Sequence, residues 1–212
     1  KEHGRKKGIA YNLHNIGSLY DYQDQYTLSL EYYLKSYALL EELNDKPGMA
    51  MSLNNIGVIY MNQGDYPGAL ESFEKSMKYF EETGDKKGTA LNLCNMGVLY
   101  RKQGHTTRAI AYCKEGLMLS EEIGALSEQK ENCQCLYDTY KEAGKGSEAL
   151  IYLEKMRVVE DSLNARETIR KLEQMEFSRE MLQDSIAKAD EARRVEEDRK
   201  STRLNSSHES PS

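Results

Sequence analysis

Apolar side chains in this chain fall on two helical stripes that restart every 40 residues. From Gly48 to Lys87, the first stripe is Ala50, Leu53, Ile56 and Tyr60, spaced to share one face of a helix. Gln63-Gly64-Asp65 breaks the pattern. Ala69, Leu70, Phe73, Met77 and Phe80 then form a second stripe. Pro67 lies in the first turn of that second helix, where its missing N–H costs nothing. Gly84 is placed to stop the helix, and Asp85 to cap the next one. The unit is therefore predicted to be a helical hairpin.

The same columns recur without a gap from Gly8 to Leu163. Gly8, Gly48 and Gly88 share one column, and Gly17, Gly57 and Gly97 another. Tyr20, Tyr60, Tyr100 and Tyr140 share a third, and Leu30, Leu70, Ile110 and Leu150 a fourth. A mid-helix glycine costs about 1 kcal/mol relative to alanine, so its return at one register predicts close approach between the paired helices. Ser29, Ala69, Ala109 and Ala149 are the small residues expected opposite, with Tyr33, Phe73, Cys113 and Leu153 filling the space beyond. A fixed period of this size means stacked units that bury their faces against their neighbours.

These columns resemble the tetratricopeptide repeat. Its signature falls here on Leu53, Ile56-Gly57, Tyr60, Ala69, Phe73 and Ser76, in a unit longer than the family's usual 34 or so residues. The resemblance implies an all-α, right-handed superhelical solenoid of helical hairpins, followed by one long helix. Repeats are expected at residues 8–47, 48–87 and 88–127, with a degenerate fourth at 128–164. There, Glu128, Lys130 and Tyr137 replace the small residues of the earlier units. Residues 1–7 align with 81–87, and so are expected to be the closing turn of an earlier repeat.

Residues 165–197 hold no Gly or Pro, and Asn164 with Glu167 is a candidate cap for a new helix. A heptad with Leu172 and Ile186 at one core position, and Met175, Leu182 and Ala189 at the other, predicts a coiled-coil linker able to form a homodimer. Arg179 and Arg193 interrupt the seam, which leaves a lone solvated helix as the alternative. Asp198 to His208 resembles the translation of a common DNA-sequencing adapter, so 198–212 is expected to be a disordered artefact. The stretch from Glu154 to Asp198 is similar to the linker of bacterial repeat-bearing class III adenylate/guanylate cyclases, and also to that of repeat-bearing sensor histidine kinases. That similarity implies the sensory part of a membrane signalling protein. A free-standing scaffold is the third alternative.

Composition narrows the function. A net charge of −6 argues against a nucleic-acid partner, which calls for a basic stripe. No apolar run reaches the roughly 18–20 residues of a membrane span. The histidines His3, His14, His105 and His208 form no metal or catalytic motif, and Gly144-Lys145-Gly146 lacks the strand that precedes a phosphate loop. Glu41-Glu42, Glu81-Glu82 and Glu121-Glu122 read as a solvated face. No catalytic residue, metal site or cofactor is predicted, and the expected partner is a protein or peptide. Cys94, Cys113, Cys133 and Cys135 are expected to be buried or half-buried thiols. Unpaired cysteines suit a reducing cytoplasm, yet Cys113 and Cys133 lie on helices that could touch, so the compartment stays open.

The candidate binding surface is the column Asn15, Asn55 and Asn95, whose amides can both donate and accept. The resemblance places this column in a concave groove that holds a ligand backbone. His14, Asn54 and Arg101 are the neighbouring groove candidates. The alternative is that the column bonds an adjacent helix. The groove is too poor in Lys and Arg to clamp a C-terminal carboxylate.

Overall fold

The computed structural model describes residues 2–208, all of whose regular structure is α-helical. The helices are α1 (Glu2–Tyr22), α2 (Tyr26–Glu42), α3 (Lys46–Gln63), α4 (Tyr66–Thr83), α5 (Lys86–Lys102), α6 (Thr106–Glu122), α7 (Leu126–Glu142) and α8 (Gly146–His208). The chain divides into one compact unit, Lys1–Leu163, and a second, Asn164–Ser212.

In the first unit the predicted Gly84 stop and Asp85 cap are in place, and the same aspartate cap recurs at two further turns. Asp45, Asp65 and Asp85 each accept a hydrogen bond from the backbone N–H three residues on, at 3.3, 3.0 and 2.9 Å. Pro67 sits in the first turn of α4. Gly64 and Gly84 close α3 and α4 with φ of 83° and 69°, the left-handed region where a Cβ is strained. Asp24 and Asn44 do the same work in the first repeat without glycine.

Each hairpin packs along the glycine column. A Cβ on Gly57 would run into the ring of Phe73, and one on Gly17 would meet the ring of Tyr33. The close approach is therefore of aromatic ring to bare backbone more than of backbone to backbone. Gly48 and Gly88 are pressed in the same way by Leu40 and Phe80 of the preceding helix. Tyr33, Phe73, Leu40, Ile59, Leu99 and Leu136 are all but fully buried and run as a core through the stack. Burying each large apolar side chain contributes about 1.5–3 kcal/mol.

Three local expectations change. Residues 2–7 are the first turns of α1, not a closing turn, because Gly4 is flanked by helix-compatible residues. Asn164 caps nothing, since no Gly or Pro interrupts α8 between Ser147 and His208. For the same reason residues 198–208 are helical where a disordered tail was expected; 209–212 lie outside the described residues. The cysteine expectation changes too. The helices of Cys113 and Cys133 do pack together, but the bond formed is Cys113–Cys135, with Cα atoms 6.2 Å apart, while Cys94 and Cys133 are buried free thiols. Two of four cysteines are paired, so the suggestion of a reducing compartment loses its basis.

In the second unit, residues 164–208 are helical, and Ile169, Leu172, Met175, Leu182 and Ile186 are all exposed. Glu167–Lys171 and Asp184–Lys188 pair along the helix at 2.6 and 2.7 Å. No helix of the described residues is long and apolar enough to cross a membrane.

Candidate binding groove

The first helix of each hairpin touches the first helix of the next: α1 meets α3, α3 meets α5, and α5 meets α7. Among the described residues, the second helices α2, α4 and α6 make no such contact with one another. The stack therefore closes on the side of the first helices, and their free faces form its inner wall.

A chain of polar side chains crosses this wall. Asn55 Nδ2 donates to His14 Nε2 at 3.3 Å, so that nitrogen carries no proton. His14 Nδ1 therefore holds the proton and donates it to Ser52 Oγ at 3.4 Å. Asn54 Nδ2 donates to Asn55 Oδ1 at 3.4 Å, and Asn95 Nδ2 donates to Asn54 Oδ1 at 2.9 Å. His14 and Asn54 are buried between units rather than open to a ligand. Burial also holds the His14 imidazole below its ordinary pKa.

The six candidate residues thus separate. Asn15 is exposed on α1 and stands outside this chain of bonds. Asn55 spends both ends of its amide on the neighbouring hairpin and on Asn54. Asn95 spends its NH₂ on Asn54, and among the described residues its Oδ1 accepts no side-chain hydrogen bond. Arg101 is half-buried and forms an ion pair with Glu142 of the following hairpin, its Nε left without a partner. Asn55 and Asn95 therefore bond each hairpin to the one before it, while Asn15 makes none of these bonds and is open to solvent.

Asn95 borders an inner pocket of about 610 Å³ between α5, α7 and Leu163. Val98 and Leu163 give it apolar wall; Lys130, Glu131, Gln134 and Asp138 give it polar groups of both signs. Lys130 is held by Glu160 at 2.8 Å, and Gln134 donates to Asp138 at 2.9 Å. Burial, and then the nearby Glu128, push the Glu131 carboxyl above its usual range. The pocket offers donors, acceptors and apolar area together, which suits an extended chain better than a single anion. Among the described residues no group of His, Cys, Asp and Glu could hold a metal ion.

Residues 48–122 match the tetratricopeptide repeat family. No curated protein matches the sequence. Among solved structures, aspartyl phosphate phosphatase F from Bacillus subtilis superposes with a TM-score of 0.69 at 18% identity, over 75% of this chain and 42% of that one. BtubC from P. vanneervenii gives 0.63 at 18% identity, over 73% and 64%. Kinesin light chain repeats from Podosopora anserina give 0.55 at 16% identity, over 74% and 76%. At these identities the likeness is one of fold. It shows the tetratricopeptide-type solenoid, and this chain spans less than two thirds of the first two proteins.

Within this tetratricopeptide framework, buried polar residues on two register columns make hydrogen bonds that the sequence reading did not assign. Asn92 and Asn132 are fully buried; Asn92 Nδ2 donates to the carbonyl of Phe73 at 2.9 Å, and Asn132 Nδ2 to that of Glu128 at 2.8 Å. Ser36 and Ser76 donate to the carbonyls of Ala10 and Ala50, both at 2.8 Å. The signal was available: Ser52, Asn92 and Asn132 share one register position at the fully buried core.

Proposed function

We propose that the first unit is a non-catalytic interaction module that takes an extended peptide or protein segment along its inner wall. The observation that carries this reading is the pocket at Asn95, where an amide oxygen with no side-chain donor lies beside Gln134, Lys130 and two carboxylates over apolar floor. An extended backbone supplies the alternating N–H and C=O that such a wall can match. Asn95 and Gln134 are the contacts we assign to it. Asn15, farther along the wall and exposed, is the place for a second contact, while His14, Asn54, Asn55 and Arg101 hold the wall's shape.

The wider setting is the sensory part of a membrane signalling protein such as a nucleotide cyclase; a sensor histidine kinase or a free-standing scaffold are the alternatives. Similarity of the helical segment after the repeats supports a signalling setting, with the cyclase as the leading reading and the kinase sharing the same resemblance. The apolar positions Leu172, Met175, Leu182 and Ile186, all exposed on one helix, support a parallel homodimer through 165–197.

The test of the interaction reading is to select peptides against the full chain from a random library and map the bound state by hydrogen exchange. Protection is expected on α5 and α7. Protection confined to α4 and α6 would reject the reading.

A further inference from the structure

The disulfide joins two separate departures from the forty-residue register. At the ring column, Tyr33 and Phe73 cover Gly17 and Gly57, but over Gly97 stands Cys113. At the Asn column, Asn15, Asn55 and Asn95 are followed by Cys135. A cysteine in place of a buried ring leaves unfilled volume, which is normally destabilising. Here the space holds two sulfurs: a Cβ on Gly97 would run into Cys113 Sγ and lie 3.2 Å from Cys135 Sγ. Each substitution leaves a defect on its own; together they make one bond.

We propose that the Cys113–Cys135 disulfide is a redox lock that fastens α6 of the third hairpin to α7 of the fourth and thereby fixes the wall of the inner pocket. Cys135 and Cys94 both border that pocket, and Cys113 is fully buried behind it. Cys135 is itself only 2% exposed, so a dithiol reductant reaches it when the pocket wall opens, and it attacks Cys135 Sγ from the pocket side. One reductant sulfur bonds to Cys135 and Cys113 leaves as thiolate, taking up a proton. The second reductant thiol then displaces Cys135, also as thiol, and the reductant departs as its own disulfide, having given two electrons and two protons. Cys94 and Cys133 do not shuffle the bond, since burial pushes their thiols up to about 12 and about 11 and keeps them protonated. The link closes a loop of sequence separation 22, so its loss frees α7 relative to α6. The lock rests on the groove reading only for its effect on a ligand.

The test uses the full chain, air-oxidised or treated with dithiothreitol. Alkylation under denaturing conditions is expected to add two groups to the oxidised protein and four to the reduced one, from its four cysteines. Reduction is expected to lower the melting temperature by roughly 5–10 °C and to speed amide exchange in α7 while sparing α1–α3. The Cys94→Ser/Cys133→Ser protein should keep this response, and Cys113→Ser/Cys135→Ser should lack it. Four alkylations of the oxidised protein would overturn the lock. So would two alkylations with the same melting and α7 exchange in both states. Because these readouts are taken on the wild-type chain, they stand even if a serine variant fails to fold, and they do not depend on what the groove binds.

Discussion

Asn132 stands where a side chain on Gly116 would be. Its Nδ2 reaches the carbonyl of Ala90 at 3.3 Å, and its Oδ1 fills the space into which a Cβ on Gly116 would project. In the two preceding hairpins Ser36 and Ser76 occupy the register of Gly116 and satisfy Ala10 and Ala50. One hydrogen bond is thus kept across three units, supplied from within the hairpin twice and from the next hairpin once.

Gly116→Ser is expected to destabilise the chain by about 1–3 kcal/mol through overpacking against Asn132. Asn132→Ala alone is expected to cost about 1–3 kcal/mol by removing the buried Nδ2 bonds to the Ala90 and Glu128 carbonyls and the side chain that fills the space over Gly116. The double variant should cost less than the sum, because the introduced serine hydroxyl can then bond the Ala90 carbonyl as Ser76 bonds that of Ala50. Urea unfolding of the four proteins measures the coupling, and strict additivity would contradict the exchange of roles.

The His14 imidazole is held below 6.5 by burial. Between that folded value and 6.5 the unfolded chain binds a proton that the folded one excludes. Stability from neutral His14 is therefore complete above about pH 6.5 and declines as the pH falls below it. The decline levels off once the folded value is passed. Melting curves from pH 8 to 5 should show less loss for His14→Gln than for the wild type, and parallel curves would contradict an imidazole held neutral by burial.

Asn55→Ala and Asn95→Ala should differ. The first strips partners from both His14 Nε2 and Asn54 Nδ2 and is expected to cost about 1–3 kcal/mol. The second removes one donor to Asn54 Oδ1 and should cost about 1 kcal/mol. Thermal melts of the two variants decide it, and equal losses would mean that the column acts as one.

A chain ending at Leu163 is expected to sediment as a monomer, and the full chain as a dimer held by Leu172, Met175, Leu182 and Ile186. Identical sedimentation coefficients after allowance for mass would remove the coiled-coil proposal.

Much of the hairpin fold was legible because its punctuation is local. Gly64, Asp65, Pro67, Gly84 and Asp85 carry their meaning within a few residues, and each does what its position predicted. The groove was less legible. Asn55 and Asn95 share a Leu-x-Asn-x-Gly frame in sequence, but what their amides spend depends on residues about forty positions away. His14 follows an apolar residue on an exposed-looking helix, and only stacking buries it. The disulfide was hidden for the same reason: Cys133 and Cys135 lie on one helix, and only the rotation of α7 against α6 selects Cys135. The break at Asn164 failed because a capping sequence starts a helix only where the preceding one has been stopped.

The most direct test of the groove is the affinity of one selected peptide for three variants, read by fluorescence anisotropy. Asn95→Ala and Gln134→Ala should each weaken binding about fivefold to tenfold, with melting temperatures within a few degrees of the wild type. Met118→Ala, on the exposed outer side of α6, should bind as the wild type does. Unchanged affinity in the first two, with loss in the third, would place the binding surface on the outside of the solenoid and contradict the account.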